Sequence, residues 1–342
     1  MIKQSIAFPY YIYIEKLCEF SNEVAALDKC SELTFDTGSE RFLSPTALVF
    51  LAKICRCRSR RFGQDERIFY RGLENHQYAN NLGFSEALRI SGNPFPQKAY
   101  GGKNYFPMSA LWRKDLEITA ASEAIELGDA IQIVCEGISK VVSQRSSHEL
   151  ENALARSFRE IIRNSFEHAD VNVVMYCAQY WPQSGKVEIC ITDRGIGIKE
   201  SLKENKYLEF ETEREALYLS LMPGVSSKAW RHKKKKAIHK GPWDNSGFGL
   251  FFAHQLFGEL GHFFIASNNS AIILRNGKGA KDIDCNIEGT LVSMSLDLSD
   301  EDKIARTIST IQDLAFRVKE KIGTRSIDFA SVEAFLKHEI EF

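Results

Sequence analysis

The stretch SSHELENALARSFREIIRNSFEHAD, residues 146–170, decides how the rest of the chain is interpreted. Ser146 and Glu149 have the spacing of a capping box, which predicts that a helix begins there. The predicted buried face of this helix consists of apolar residues at helical spacing, namely Leu150, Leu154, Phe158 and Ile161. Glu160 and Asn164 are four residues apart and are therefore neighbours at the edge of that face. A carboxylate beside a carboxamide can position a water and coordinate Mg²⁺, although the spacing alone is more typical of an exposed polar pair.

A second polar element follows at the end of a predicted strand, in ITDRGIGI (191–198). At this position the carboxylate of Asp193 can accept a hydrogen bond from an exocyclic amine such as adenine N6. Gly195 and Gly197 would let the backbone approach a ligand closely. On its own, this spacing of aspartate and glycines is more often a turn than a site.

Two glycine-containing elements lie further along the chain. In DNSGFGLFFAHQL (244–256), Gly247 and Gly249 precede a helix that is predicted to begin near Leu250. The free N–H groups of such a helix can bind phosphate. In EGTLVSMSL (288–296), Gly289 and Thr290 stand at the start of a predicted strand. Neither element is specific alone, because many helices and strands begin after glycine.

The order and spacing of the four elements resemble the N, G1, G2 and terminal G-T boxes of the gyrase, histidine kinase, chaperone and MutL (GHKL) ATPase family. The resemblance covers about residues 145–298, roughly half of the chain. It implies an α+β fold of the Bergerat type, a two-layer α/β sandwich in which a mixed sheet is backed by helices. In that family ATP is held with Mg²⁺ between the helices and the sheet.

The resemblance also implies a role for each residue of the four elements. Glu160 resembles the general base and Asn164 the Mg²⁺ ligand. Asp193 would bind adenine with the support of Gly195 and Gly197, and Thr290 would line the adenine pocket. The phosphate end would be closed by three residues, Gly247, Gly249 and Leu250. His168 occupies a position where many family members carry histidine, and its place on the apolar stripe favours a packing role over a catalytic one.

A basic segment lies between the G1-like and G2-like elements, where the family has its variable lid. Residues 222–243 contain seven Lys or Arg (228, 231, 233, 234, 235, 236 and 240) and no acidic residue. Such a run is usually a solvated loop. It could also fold lysines over the triphosphate, or contact an acidic protein partner or nucleic acid through residues 228–240.

The start of the quoted stretch, Ser147 to Leu150, resembles the phosphoacceptor box of sensor histidine kinases. A helix rises 1.5 Å per residue, so His148 would lie about 24 Å from Asn164 along the same rigid helix. A γ-phosphate held near Asn164 could not reach it, and the segment lacks the proline usual in that box. We therefore expect a helix N-terminus there, and a phosphoryl acceptor elsewhere.

The N-terminal part resembles a STAS-like domain, the fold of anti-sigma-factor antagonists. The resemblance rests on LTFDTGSERFLSPTALVFLAKI (33–54) and RIFYRGLENHQYANNLGF (67–84). Ser44 lies near the loop where such antagonists carry a phosphorylatable residue, but it directly precedes Pro45 and is predicted to cap the following helix.

The Pro- and Gly-rich segment 91–107 suggests a domain boundary. The predicted units are a STAS-like domain (1–115), an ATPase domain (116–298) and a helical extension (299–342), which could dock on the ATPase domain or mediate association.

The composition is that of an ordinary globular protein, with 44% hydrophobic and 26% charged residues and a formal net charge of −1. The eight cysteines show neither a zinc spacing nor a disulfide framework, and no run is long and apolar enough for a bilayer, so a cytoplasmic protein is expected.

We predict a Mg-ATP-binding regulatory or signalling protein with a protein partner and without membrane contact; a homodimer is possible. It would be an ATPase, an anti-sigma-like serine kinase acting on a STAS-type protein, or a non-catalytic ATP-dependent switch.

Overall fold

The structure, a computed structural model, describes residues 2–89, 101–144, 147–169, 171–226, 248–323 and 329–340. Within these ranges the chain forms two β-sheets with helices around them, so the predicted α+β class is confirmed. None of the helices in these ranges has the length and apolar character needed to cross a bilayer.

The N-terminal sheet is parallel and has three strands. Strands β1 (Lys3–Ala7), β2 (Glu32–Asp36) and β3 (Arg67–Arg71) lie side by side in the order β1-β2-β3. Parallel neighbours need a crossover connection. Helix α1 (Ile14–Ala26) supplies the first and helix α2 (Pro45–Phe62) the second, and the two helices pack against each other.

The start of α2 is fixed by its cap. The Ser44 hydroxyl accepts a hydrogen bond from the backbone N–H of Ala47 at 3.5 Å, and Pro45 occupies the first helical position. The predicted capping role of Ser44 is therefore confirmed. After β3 come two short helices, α3 (Gln77–Asn81) and α4 (Phe84–Ala87), and Gly83 between them adopts φ 86°. That left-handed conformation favours glycine.

The larger sheet has the strand order β4-β5-β6-β10-β7-β8-β9. Its strands are β4 (Tyr105–Trp112), β5 (Val173–Trp181), β6 (Lys186–Thr192), β7 (Gly261–Ser267), β8 (Ser270–Arg275), β9 (Lys278–Asp284) and β10 (Thr290–Asp297). All of its pairings are antiparallel, so the expectation of a mixed sheet is wrong. The reason is local: β5–β6, β7–β8 and β8–β9 are hairpins, and a hairpin joins antiparallel neighbours.

One face of this sheet is covered by helices. They are α5 (Arg113–Glu123), α6 (Leu127–Ser143), α7 (His148–His168), α8 (Ile198–Leu202), α9 (Glu213–Ser220), α10 (Gly249–Leu260), α11 (Glu301–Gly323) and α12 (Phe329–Leu336). Ala124 adopts φ 53° and separates α5 from α6. Helix α11 packs on α7 and α10 and buries Ile304 and Ile308, so the C-terminal helices dock on the larger sheet's unit.

Helix α7 contains the stretch on which the sequence analysis began. The hydroxyl of Ser147 accepts a hydrogen bond from the backbone N–H of Leu150 at 3.3 Å and caps the helix. The cap is therefore one residue later than predicted, and Ser146 lies outside the described residues. His148 is the first helical residue, and the helix continues without a break to His168. The predicted separation of His148 from Asn164 along one helix is confirmed.

The opposite face of the larger sheet is also covered, by α1 and α2. The rings of Phe50 and Phe264 lie 6.1 Å apart between their centroids, and one buried cluster joins the two sheets. Polar contacts add to this interface, because the Thr46 hydroxyl lies 2.6 Å from that of Ser293. The expected two-layer sandwich thus has a third layer. Strand β4, placed by prediction in the first domain, pairs with β5 in the larger sheet.

Candidate functional site

The carboxylate of Asp193 is the point at which three stretches of the chain meet. Its Oδ2 accepts a hydrogen bond from Ser165 Oγ at 2.7 Å, which links the loop after β6 to helix α7. Its Oδ1 accepts from the backbone N–H of Gly195 at 2.9 Å and from that of Thr290 at 3.1 Å. The side chain is therefore held in one orientation at the junction of β6, β10 and α7.

These contacts leave the Asp193 carboxylate able to accept another hydrogen bond. Its two oxygens together offer about four acceptor positions. Oδ1 receives two N–H groups, whereas Oδ2 receives only the Ser165 hydroxyl. Oδ2 can therefore accept one further donor, which is the requirement for recognition of an exocyclic amine.

The glycines around Asp193 are places of close backbone contact. A Cβ on Gly195 would lie 2.2 Å from the carbonyl oxygen of Ala169 at the end of α7. Gly289 has φ 72°, and a Cβ on it would lie 2.7 Å from Gly195 N. Gly197 has φ 83°, and a Cβ on it would lie 2.2 Å from the side-chain nitrogen of Asn268. At each of these positions a larger residue would force the loop away from its neighbours.

Glu160 lies on α7 in a largely buried position. Its side chain is 14% exposed, and its Oε1 lies 3.2 Å from Arg163 and 3.7 Å from Arg159. Burial raises the pKa of Glu160, while the charges of Arg163 and then Arg159 oppose that rise. A carboxylate with a raised pKa and a restricted environment is suited to accept a proton.

Gly249 brings the start of α10 directly against Glu160. A Cβ on Gly249 would lie 1.8 Å from Glu160 Cγ and 2.6 Å from its Cδ. Gly249 is the first residue of α10, so the unpaired N–H groups of the first helical turn lie beside this carboxylate. Leu250 is half-buried and packs against the core of the helical layer. The glycine-containing element at the start of α10, which resembles the G2 box, therefore contacts at Glu160 the part of α7 that resembles the N box.

Asn164 is half-buried on α7, one turn after Glu160 and directly before Ser165. Its carboxamide makes no hydrogen bond within the described part of the chain, so its oxygen is free to coordinate a cation. In the same ranges there is no group of three or more His, Cys, Asp or Glu side chains that could hold a metal. A Mg²⁺ held by Asn164 would therefore need oxygen ligands from a bound phosphate, as is usual for this ion.

The structure thus gathers the predicted residues of its described ranges along helix α7, in one group around Asp193 and another around Glu160. They are Glu160, Asn164, Asp193, Gly195, Gly197, Gly249, Leu250 and Thr290. Gly247 and the basic segment 228–240 lie outside the described residues, as does the side chain of His168.

Two contacting residues were missed by the sequence analysis. Ser165 follows Asn164 and orients Asp193 from the buried side of α7. Lys53 on α2 is 2% exposed, and its Nζ donates to the backbone carbonyl of Asp193 at 2.5 Å. A signal for Lys53 was present, since it is a single charge within the apolar run ALVFLAKIC (47–55). A lysine on the buried face of a helix needs a hydrogen-bond or ion-pair partner.

No protein-family model matches this chain, and no curated protein or solved structure matches it either.

Proposed function

We propose that the residues around Asp193 and Glu160 bind ATP with Mg²⁺, and that the chain is a GHKL-type regulatory ATPase or kinase. One observation carries this proposal: four elements distant in sequence meet at two carboxylates. Ser165 and Thr290 both contact Asp193, and Gly249 lies against Glu160. Packing alone does not require these residue types to coincide with the motif order of an ATP-binding family.

The residues present fit the proposed ligand. Oδ2 of Asp193 has acceptor capacity for an exocyclic amine, and the Asn164 carboxamide has no partner in the described ranges. The first turn of α10 offers N–H groups suited to phosphate. Bound Mg-ATP would supply a γ-phosphate whose transfer to water or to a hydroxyl is the chemistry of the site.

The chain's own residues would orient and activate the acceptor. Glu160 would accept the proton of the attacking water or hydroxyl, and Arg163 and Arg159 would hold its carboxylate in place. Asp193 is fixed by three hydrogen bonds and would hold the adenine ring in one position. A protein partner, which could be a second copy of the chain, would receive the resulting signal.

Binding is tested by calorimetric titration of ADP with Mg²⁺ into the wild type and Asp193→Asn. We expect at least tenfold weaker binding in the variant, because the carboxamide cannot accept from Gly195, Thr290 and an amine at once. Asp297→Asn is the matched control, since Asp297 ends the neighbouring strand β10 and its Oδ1 accepts from the backbone N–H of Ser299 at 2.9 Å, away from the candidate site. Asn164→Ala, a change at a half-buried position whose side chain makes no hydrogen bond in the described ranges, should lose the Mg²⁺ dependence while retaining the fold. Equal affinity in all four proteins would reject the proposal.

The acceptor is identified with γ-labelled ATP and Glu160→Gln. Label on a protein would indicate a kinase, and release of free phosphate would indicate an ATPase. Binding of ATP with neither result would indicate a non-catalytic switch. In the first two cases Glu160→Gln should bind ADP normally and lose nearly all turnover. Normal turnover in this variant would remove Glu160 as the base.

A further inference from the structure

A second concave region lies beside the loop that follows β6. It consists of two adjoining pockets with volumes of about 1040 Å³ and 640 Å³, which share Arg60 and Arg194. The larger one lies between the end of α2, strand β3 and the turn around α3 and α4. Its volume is close to that of small-molecule sites. The larger pocket contains none of the residues proposed above for the nucleotide site, whereas the smaller one is lined by Gly195 and Gly289 from the loops beside Asp193.

Positive charge dominates the larger pocket. Its lining includes four arginines, Arg56, Arg60, Arg89 and Arg194, and a single carboxylate, Glu74. Burial, followed by the charges of Arg89 and Arg194, lowers the pKa of Arg56 to about 10. Burial and then Arg60 lower the pKa of Arg194. These cations repel one another, so the folded chain holds them together at a cost in free energy.

The arginines of α2 differ in their partners: Arg56 donates to the backbone carbonyl of Ala87 at 3.3 Å, and Arg58 pairs with a carboxylate. Arg58 donates to both carboxylate oxygens of Glu66, at 2.7 and 2.5 Å, and to the carbonyl of Leu27 at 2.6 Å. In contrast, the guanidinium groups of Arg60, Arg89 and Arg194 make no hydrogen bond or ion pair with any residue that the structure describes. Arg194 is unpaired although it is half-buried.

The helix dipole does not explain this cluster. Arg60 lies in the last turn of α2, where a positive charge is favourable. However, Arg194 comes from the loop after β6 and Arg89 follows α4, so the charges converge from three separate elements. Convergence of unpaired guanidinium groups in a concave pocket is the arrangement that recognises phosphate.

We propose that this arginine pocket, lined by Arg56, Arg60, Arg89 and Arg194, binds a phosphorylated small molecule through its phosphate group. The limited volume favours a small ligand over a polymer. The shared chemistry is a phosphomonoester or diphosphate, carried by a nucleotide, a sugar phosphate or inorganic pyrophosphate. This site does not depend on the nucleotide site proposed above.

The test is calorimetric titration of inorganic pyrophosphate into the full chain without Mg²⁺. Arg60→Ala and Arg194→Met should each weaken binding about tenfold or more, because each removes a charge-assisted contact. Arg306→Ala removes an exposed arginine of α11 on the helical side and should bind as the wild type does. Asn164→Ala should also bind pyrophosphate normally, since Asn164 does not line the pocket. AMP and glucose 6-phosphate, titrated in the same way, distinguish the two organic sources.

Three results would overturn the proposal. One is failure of all three probes to bind the wild type at about 1 mM. The second is equal weakening by Arg306→Ala, which would indicate a general charge effect. The third is loss of pyrophosphate binding in Asn164→Ala but not in Arg60→Ala, which would place the anion in the nucleotide site. Arg60 is exposed, so Arg60→Ala keeps the test decisive even if Arg194→Met fails to fold. Loss of ADP binding in Asp193→Asn with pyrophosphate binding intact would separate the two sites.

Discussion

At the scale of single residues, the two carboxylates of the candidate site are controlled in different ways. Asp193 is held by hydrogen bonds from Ser165, Gly195 and Thr290, whereas Glu160 is controlled by burial and two arginines. The first arrangement fixes orientation and the second changes proton affinity. One carboxylate is therefore suited to recognition and the other to proton transfer.

The raised pKa of Glu160 predicts a pH dependence of turnover. A base acts only when deprotonated, so activity should fall on acidification at a pH above the ordinary glutamate value of about 4.3. Arg163→Met removes a charge that opposes the rise and should move this acidic limb to higher pH. Profiles of kcat/KM against pH measure the shift. Arg156→Met, an exposed change on the same helix, is the control, and coincident profiles for all three proteins would contradict the prediction.

Gly249 predicts a steric effect on the same carboxylate. In Gly249→Ala the new Cβ would overlap Glu160 Cγ, so either α10 or Glu160 must move. We expect a loss of about 1–3 kcal/mol in the free energy of unfolding and a large loss of turnover. The control is Gly137→Ala in α6, where a Cβ meets nothing within 4 Å and should stabilise by about 0.5–1 kcal/mol. Chemical denaturation compares the two, and the same sign for both would reject the steric argument.

At the scale of elements, helix α2 connects the parts of the molecule. Its N-terminal half packs on the larger sheet through Phe50, Lys53 contacts the loop of Asp193, and its last turns carry Arg56 and Arg60 into the arginine pocket. The helix and its cap were predictable, because Ser44, Pro45 and the apolar run are local signals. The three contacts of α2 were not predictable, because each depends on which surface the helix meets after folding.

Lys53 predicts a stability difference that depends on pH. Burial lowers the pKa of Lys53, so between that value and the ordinary lysine pKa near 10.5 the folded state binds fewer protons than the unfolded state. The free energy of unfolding therefore rises with pH in this window, by up to about 1.4 kcal/mol per pH unit. Lys53→Met lacks this dependence, so the difference in the free energy of unfolding should shift in favour of the wild type as the pH rises towards the ordinary lysine pKa. Urea unfolding at several pH values measures it. Lys140→Met, exposed on α6, is the control, and a constant difference between wild type and Lys53→Met would be the contrary result.

At the scale of the whole molecule, the larger sheet has helices on both faces. The family resemblances predicted helices on one face of this sheet, and the Pro- and Gly-rich segment 91–107 predicted a boundary to a separate N-terminal domain. Cys177 and Cys190, which are opposite each other in the sheet, face the second layer and are fully buried. Small side chains of this kind do not reveal from sequence whether solvent or another layer lies above them. The order of the four motifs predicted that they would lie close together. The arginine pocket could not be predicted, because its arginines come from separate elements that meet only in the folded chain.

The shared core predicts that the two sheets unfold together. Phe50→Ala removes a ring at the contact between the layers and should cost about 3–5 kcal/mol. Differential scanning calorimetry should show one transition in the wild type and one transition at lower temperature in the variant. Phe84→Ala, within the N-terminal unit, should shift the same single transition. Two transitions, of which only one moves, would show that the layers are independent.

The contact of α2 with the larger sheet has a consequence during synthesis on the ribosome. Residues 45–62 leave the exit tunnel well before β5 and β6, which begin at Val173 and Lys186. Until then the apolar side of α2 that contains Phe50 has no sheet to cover it. The nascent N-terminal unit is therefore exposed to aggregation at this stage and is a natural client for chaperones that bind apolar surface. Slowing translation between residues 90 and 190 should lengthen that exposure and lower the yield of folded protein.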